Sequence, residues 1–138
     1  MNEVINVTIP TQPALLVLMS VFGWIIIHQH LDNTLDWQLP WLDYKTGFGS
    51  IDGNFWLGLE AIHLLTSSRD YRLRVEMQQT STSKWYSAEY WMFTVSDELD
   101  KYRLEVSGYS GDAGDSLQYD DDDDDDDVEH LGRFLSVS

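Results

Sequence analysis

Two histidines have the spacing of a possible metal site. His28 and His30 lie two positions apart in a segment that is predicted to be a strand, so both imidazoles lie on one face and could supply two metal nitrogens. The sequence supplies no dependable third ligand beside them. We therefore interpret both side chains as surface or half-buried imidazoles and predict no metal site.

A serine beside an aspartate could form part of a hydrolase site. A nucleophilic serine needs a base and an orienting carboxylate, so Asp115 and Ser116 would need a histidine to complete the arrangement. Neighbouring positions along a sequence do not by themselves create that geometry. We predict no catalytic residue and no enzymatic activity.

Residues 120–127 are eight consecutive aspartates, and hard cations such as calcium prefer carboxylate oxygens. A tight calcium site needs about six or more ligands held at fixed positions, and a homopolymer holds none of them. Mutual repulsion keeps such a run extended and hydrated. We therefore predict an acidic disordered tail over residues 120–138, with weak and nonspecific cation binding and no cofactor.

Exposed aromatic rings could form a platform on which a sugar stacks. Trp85, Tyr86 and Trp91 are the candidates, since aromatic faces commonly contribute to binding sites. Large aromatic side chains at these spacings are more often part of a hydrophobic core. The interpretation as core is therefore favoured, and no ligand-binding residue is assigned.

The elements that would position these side chains are short. Residues 24–31 begin with β-branched residues and predict a buried strand, which ends at polar turn residues. Two short helices are predicted over residues 40–45 and 59–66. Four glycines between Gly47 and Gly58 indicate tight turns between the two helices.

Alternation of apolar and polar residues marks the strands that follow. Residues 71–77 place apolar side chains at odd positions and charged ones at even positions, residues 85–95 are rich in aromatics, and residues 102–107 alternate again. Consecutive strands with short connections predict an antiparallel sheet with one solvated face and two helices on the other. The fold class is α+β, with a globular body over residues 23–119 after an uncertain N-terminal lead over 1–22.

Composition narrows the classes of partner. The formal charge is −16, and outside the aspartate run the sequence has 16 acidic and 8 basic residues, so it repels nucleic acids. The apolar segment 14–27 is shorter than the roughly 20 residues of a membrane span, and no signal peptide is convincing. The absence of cysteine rules out disulfides and, by itself, suggests a reducing compartment.

Four motifs carry a resemblance to a known family. They are Gly23-Trp24, DYKTGFGSIDGNFWLG at 43–58, AIHLLT at 61–66 and KYRLEVSGYSGDAGDSL at 101–117. Together they resemble the fibrinogen C-terminal domain of fibrinogens, tenascins, ficolins, angiopoietins and microfibril-associated glycoproteins. The resemblance spans about residues 23–119. It implies the same α+β fold, secretion, no catalysis, and binding of proteins, acetylated sugars or peptide ends, usually as an oligomer.

The resemblance also implies that this domain is incomplete. The family has its first disulfide before the Gly-Trp strand, where this sequence has no cysteine. Its second disulfide, its calcium loop and its ligand pocket follow the position of Leu117, where this sequence has the aspartates and eleven further residues. We therefore expect no calcium loop and no cofactor. His63 matches the family helix and Asp115 a family turn, so both are expected to be structural.

Two functional hypotheses follow from the resemblance. The first is an extracellular, lectin-like or adhesion module that binds a protein or glycan ligand, truncated by loss of the family's calcium and ligand-binding segment. The alternative is a structural remnant without independent ligand binding, whose exposed strand edges favour self-association. The family indicates an extracellular location, with which the sequon Asn6-Val7-Thr8 agrees. We give this indication more weight than the absence of cysteine.

Overall fold

A computed structural model describes residues 2–8, 15–21, 23–117 and 134–137, with side chains for residues 23–117. Its nine strands are β1 (Asn2–Thr8), β2 (Leu15–Val21), β3 (Trp24–Gln29), β4 (Phe48–Gly49), β5 (Phe55–Trp56), β6 (Tyr71–Gln78), β7 (Trp85–Val95), β8 (Leu104–Gly111) and β9 (Phe134–Val137). The helices are α1 (Trp41–Thr46), α2 (Leu59–Ser68) and a short 3-10 helix (Glu98–Asp100).

All nine described strands belong to one antiparallel sheet. Its order is β1-β2-β3-β9-β6-β7-β8, and the small strands β4 and β5 attach to the side of β3. The α+β prediction, with an antiparallel sheet and short helices, is confirmed. Within the described residues no helix has the length and apolar character needed to cross a membrane.

The core lies between one face of the sheet and helix α2. Ile62 and Leu65 of α2 are fully buried, and both pack in one cluster with Leu73 of β6 and Tyr90 of β7. The odd-numbered residues of β6 from Tyr71 to Val75 point into this core, as period-two alternation requires. We call this face the inner face of the sheet and the opposite one the outer face.

Helix α2 is tied to the sheet by a buried polar contact as well as by apolar packing. The Thr66 side chain is 5% exposed, and its Oγ1 accepts a hydrogen bond from the backbone N–H of Val95 over 3.1 Å. On the same helix, His63 Nδ1 lies 2.8 Å from the Val95 carbonyl oxygen. Two side chains one helical turn apart therefore hold the end of β7.

The predicted bounds of the helices and of most strands agree with the structure to within a few residues, but the last predicted strand begins too early. Residues 102–107 alternate, yet Lys101 and Tyr102 have φ angles of 58° and 50°. These left-handed conformations end the 3-10 helix and cannot belong to a strand. The strand β8 therefore begins at Leu104 and extends to Gly111.

Both segments outside the predicted body contribute strands. The lead over residues 1–22 contains β1 and β2, which pair with each other over their full length. Strand β9 lies within the segment 120–138 and pairs with both β3 and β6 at the centre of the sheet. The prediction of a disordered tail was therefore wrong for residues 134–137, because a short apolar strand follows the acidic run. The aspartates themselves lie outside the described residues.

Candidate functional site

Within the described residues, the outer face of the sheet carries charged and aromatic side chains and no second apolar layer. The alternation that buries Tyr71, Leu73 and Val75 places Arg72 and Arg74 on the outer face. Helix α2 covers only the inner face, where its buried residues join the core. The outer face is therefore the surface on which the fold presents arginine and tryptophan together.

A bulge in β7 displays two large side chains on this outer face. The register between β6 and β7 shifts between Tyr71 and Leu73, so that Trp91 and Met92 together lie opposite Arg72. Both are exposed, and Trp91 retains 70% of its accessible surface. Gly108 of β8 lies beneath the indole, because a Cβ there would lie 2.9 Å from the Trp91 Cβ. The extra residue and the glycine together place Trp91 in solvent on a rigid strand.

Arg72 links this tryptophan to a second one. Its guanidinium carbon lies 5.1 Å from the ring centre of Trp91 and 5.3 Å from that of Trp24. Both distances are within the roughly 6 Å at which a cation is attracted to an aromatic face. We call Trp24, Arg72 and Trp91 the tryptophan–arginine stack. It spans the outer face from β3 to β7.

A cavity of about 370 Å³ opens on the outer face beside the stack. We call this cavity the β6–β7 pocket. Its lining comes from β6, β7 and the turn after β8 and consists of Arg74, Glu76, Trp85, Tyr86, Ser87 and Asp112. Trp85 forms an aromatic wall and is 46% exposed. The pocket therefore combines one accessible indole with charged groups of both signs.

The charged groups of the pocket are held by one another. Arg74 Nε lies 2.9 Å from Glu76 Oε1, and its Nη1 lies 3.4 Å from Glu89 Oε1 on the neighbouring strand. Arg74 also lies over the ring of Trp24, at 5.8 Å, which connects the pocket to the tryptophan–arginine stack. These contacts place two carboxylates and an indole beside the guanidinium, although each half-exposed ion pair contributes only about 0–1 kcal/mol to stability.

Asp112, which also lines the pocket, is bonded to the backbone of Ser87. Its Oδ1 accepts the Ser87 N–H over 2.8 Å, and its own N–H donates to the Ser87 carbonyl oxygen over 2.9 Å. The ammonium of Lys84 lies 4.8 Å from the ring centre of Tyr86, another residue of the lining. The backbone of Ser87 thus sets the position of the Asp112 carboxylate, and Lys84 covers part of the Tyr86 ring.

His28 of β3 and His30, which follows the strand, belong to an aromatic cluster. The ring of His28 lies edge-on to Trp37 at 5.0 Å and to Trp56 at 5.8 Å, and His30 lies 5.0 Å from the same Trp37. Among the described residues, no group of three histidines or acidic residues has the geometry to hold a metal ion. The absence of metal and cofactor sites in the whole protein stays a prediction, since the aspartate run lies outside the described residues.

Asp115, one of the two residues considered for hydrolysis, serves the fold. Asp115 Oδ1 accepts a hydrogen bond from the buried Tyr90 hydroxyl over 2.8 Å, and the backbone N–H of Leu117 donates to the same hydroxyl over 3.4 Å. Burial, followed by the bond to Asp115, raises the pKa of Tyr90 to about 12. Asp115 thus anchors the turn after β8 to the core. His63 is engaged at the other end of β7.

Sequence reasoning named the aromatic residues of this surface but not their partners. Trp85, Tyr86 and Trp91 were identified, and the first and third are exposed, against the favoured interpretation as core. Arg72 was missed, and so was Asp112. The alternation in residues 71–77 predicts that Arg72 faces away from the core, so this residue could have been identified. The contact of Asp112 with Ser87 of β7 could not, because no local sequence pattern indicates it.

Comparison with known proteins gives one family. The sequence profile of the C-terminal globular domain of fibrinogen beta and gamma chains matches residues 18–138. Fibrinogen-like protein A of Apostichopus parvimensis is 43% identical over 97 residues, and human angiopoietin-related protein 1 is 41% identical over 97. Each alignment covers 70% of this protein but only 34% and 20% of the relatives, respectively. The protein thus spans about a third or less of their length.

Solved structures agree with the sequence comparison. The fibrinogen-like globe domain of human ANGPTL2 superposes with a TM-score of 0.79 at 34% identity, covering 83% of this protein and 55% of that one. Lamprey fibrin D-dimer, complexed with the peptide ligand Gly-His-Arg-Pro-amide, superposes with a TM-score of 0.69 at 35% identity. That match covers 83% of this protein and 38% of the lamprey one.

Proposed function

Since the chain belongs to the family of fibrinogen C-terminal globular domains, we propose that it is a secreted recognition module that binds a protein or glycan through the outer face of its sheet. The family consists of non-enzymatic ligand-binding modules. Relatives such as the angiopoietin-related proteins and tenascin-R are secreted or extracellular proteins. The same relationship supports an extracellular location for this protein.

The observation that supports this function most directly is the exposure of Trp91. An indole that is 70% exposed on a strand is costly to leave in water, since a fully buried aromatic side chain gains about 1.5–3 kcal/mol. Tryptophan and arginine are the residues most enriched among those that dominate binding energy at protein interfaces. The tryptophan–arginine stack presents both, and Gly108 and the bulge hold them in place.

Rigidity adds to the case for this surface. Trp91 lies between paired residues of β7, and Arg72 lies on the central strand β6. A preorganised side chain loses little freedom on binding, whereas immobilising a mobile one costs about 0.5–1.5 kcal/mol. The stack is therefore suited to bind a partner without rearrangement of the sheet.

We also propose that the family's calcium and ligand-binding segment is absent between Leu117 and Phe134. Only 16 residues separate Leu117 from Phe134 at the start of β9, and eight of them are aspartates. The sheet nevertheless continues with β9, so the connection between the two described parts of the domain is short. Binding by such a domain would depend on the sheet itself, which is the reason for assigning it to the outer face.

Binding of the folded protein to arrays of extracellular proteins and glycans tests the proposal. We expect saturable binding to at least one ligand and about tenfold weaker binding by Trp91→Ala or Arg72→Ala. Leu99→Ala is the matched control, because Leu99 is 95% exposed on the 3-10 helix and does not belong to the stack. Absence of saturable binding by folded protein would contradict the proposed function.

The alternative of a structural remnant has one observation in its favour. The sequence has no cysteine, so it cannot form the disulfides that the resemblance implies for this fold. Loss of a native disulfide typically costs about 2–5 kcal/mol of a total stability of about 5–15 kcal/mol. A remnant should therefore unfold gradually near body temperature, whereas a sharp, cooperative transition well above it would exclude this alternative.

A further inference from the structure

We propose that the tryptophan–arginine stack binds the carboxylate of an aspartate or glutamate on a protein partner. Arg72 is the cationic contact, and Trp91 packs against an apolar side chain that lies beside this carboxylate. The inference rests on the proposed recognition function and adds the chemistry of the partner.

Arg72 has two aromatic neighbours but no acidic one. In residues 23–117, whose side chains the structure describes, the guanidinium of Arg74 pairs with two glutamates, whereas that of Arg72 forms no ion pair. Its neighbours are the rings of Trp24 and Trp91, at 5.3 and 5.1 Å. An aromatic face attracts a cation but does not neutralise its charge, so these contacts leave the guanidinium available to a carboxylate.

A guanidinium between two indoles is well suited to bind a carboxylate. Its planar set of N–H groups matches the two oxygens of a carboxylate, which gives a pair of parallel hydrogen bonds. Contact with the two rings removes part of the surrounding water, and the attraction between opposite charges strengthens as water is excluded. The rings also hold the side chain before binding, so little conformational freedom is lost. An ion pair at Arg72 is therefore more favourable than one at a fully hydrated arginine.

Trp91 provides the apolar contact beside the carboxylate. The residue is 70% exposed although its ring lies next to Arg72, and Gly108 lies beneath it in the neighbouring strand. An apolar side chain that packs on this ring removes apolar surface from water and shields the ion pair from solvent. The expected partner therefore presents one acidic residue beside an apolar residue.

The charges of both signs around the stack favour an anion at Arg72. Two residues along β6, Arg74 and its two glutamates contribute one positive and two negative charges, whereas Arg69 and Asp70 on the other side cancel. Two strand residues span about 7 Å, but a bound carboxylate lies about 3 Å from the Arg72 nitrogens, so attraction exceeds repulsion. A cation at the same place is repelled by Arg72, and the glutamates that attract it are already paired with Arg74.

The charges farther from the stack disfavour a polyanion. A sulfated glycan carries many negative charges, which would meet the glutamates beside Arg74 and the net charge of −16. A single carboxylate makes contact only at Arg72, and the repulsion from distant charges is screened beyond about 8–10 Å at physiological salt. The stack therefore favours an acidic residue of a protein over a sulfated glycan.

The test is a titration of the full-length protein with three pentapeptides that differ in one side chain. Each peptide is acetylated and amidated and has glutamate, glutamine or lysine between two leucines, so the central side chain carries the only charge. The NMR signal of the Trp91 indole N–H reports binding at the stack, and comparison with the Trp91→Phe spectrum assigns it. We expect a saturable shift with the glutamate peptide at a dissociation constant of about 1 mM, and roughly tenfold weaker binding of the other two.

Carboxylates of the chain itself are internal competitors for Arg72. The titration is therefore repeated with a variant that has asparagine at all positions of residues 120–127. Saturable binding of the glutamate peptide in either background supports the inference, whereas its absence from both overturns it.

Variants connect the binding to the charge of Arg72. Arg72→Gln should weaken binding of the glutamate peptide by about tenfold and abolish the preference for it over the glutamine peptide. Arg69→Gln is the matched control, because Arg69 lies over a single ring, that of the buried Tyr71, at 4.7 Å. The thermal transition of each variant shows that it is folded. If Arg72→Gln keeps the preference, or Arg69→Gln loses it to the same extent, the inference is overturned.

Two other probes test the sign and the source of the charge. A sulfated heparin disaccharide that shifts the Trp91 signal at lower concentration than the glutamate peptide would identify a sulfated glycan as the ligand and overturn the inference. Tighter binding of the lysine peptide than of the glutamate peptide would overturn it as well.

Array ligands separate this inference from the proposed function. A protein ligand whose binding depends both on Arg72 and on one of its own acidic residues supports the inference. A ligand that depends on Trp91 but binds equally well after its acidic residues are replaced by amides would keep the recognition function and overturn the carboxylate site. The absence of every array ligand, together with no peptide binding, would contradict both.

Discussion

Replacement of Thr66 with valine should destabilise the protein although it conserves shape. Thr66 lies on α2 at 5% exposure, and its Oγ1 accepts the hydrogen bond of the Val95 N–H. Valine has the same branched outline, so the substitution creates little cavity and deletes mainly the acceptor. The Val95 N–H then remains buried without that partner, at the point where the helix meets the strand of the candidate surface.

The size of the effect follows from that one hydrogen bond. A buried donor left without a partner costs about 1–3 kcal/mol, so we expect the free energy of unfolding to fall by about 2 kcal/mol. For a protein of 138 residues this lowers the midpoint of thermal unfolding by roughly 6 °C. Thr66→Ser retains the hydroxyl and loses one methyl group, which costs about 1 kcal/mol. The hydroxyl is thus expected to matter more than the methyl.

Urea unfolding followed by tryptophan fluorescence measures both variants, with circular dichroism as a second probe of two-state behaviour. The expected order of stability is wild type, then Thr66→Ser, then Thr66→Val. If the valine variant is as stable as wild type, or more stable than the serine variant, the hydrogen bond to Val95 does not stabilise the junction between α2 and β7 and the reasoning fails.

Three further predictions concern the turns and the core. Stability should fall as pH rises from about 10 towards 12, because the folded protein holds the phenolic proton of Tyr90 more tightly than the unfolded protein does. In the unfolded protein the pKa of Tyr90 is near 10.0. Urea midpoints measured across this pH range should therefore fall less steeply for Tyr90→Phe than for the wild type. Gly58→Ala should lower the free energy of unfolding by about 1–3 kcal/mol, because the φ angle of Gly58 is 106° and a Cβ there would lie 2.7 Å from the Gly47 nitrogen. Gly53→Ala is the control and should be nearly neutral by the same assay. Asn54→Ala should cost about 2 kcal/mol in chemical denaturation, because its buried amide accepts the Leu31 N–H over 2.8 Å, and an unchanged midpoint would count against that.

The central strands could be predicted because their side chains alternate between two environments. Residues 71–77 were predicted as a strand, since one face is buried against α2 and the other is solvated, and β6 covers Tyr71–Gln78. The start of β8 could not be predicted in this way, because the conformations of Lys101 and Tyr102 are set by the preceding 3-10 helix. Strand β9 has only four residues, and its partners lie far away in sequence. Local patterns carry no signal for such pairing.

The candidate site was predictable in its residue types but not in its geometry. The tryptophans of β7 were identified as possible binding residues, but aromatic spacing alone favours burial. The exposure of Trp91 depends on a bulge opposite Arg72 and on Gly108 in the next strand, which are features of strand register. Register joins residues that are distant in sequence. The contact between Asp112 and Ser87 has the same origin, since the two residues lie on different elements.

The net charge of the protein is a poor guide to what this surface binds. A charge of −16 would favour basic partners at long range, yet half of the 16 excess acidic groups are the aspartates of residues 120–127. On the outer face, Arg72 and Arg74 lie among tryptophans and two glutamates, so the two signs nearly balance there. Long-range fields affect mainly the rate of encounter and are screened beyond about 8–10 Å at physiological salt. The choice of ligand therefore depends on the local balance of charge at the sheet more than on the net charge of the protein.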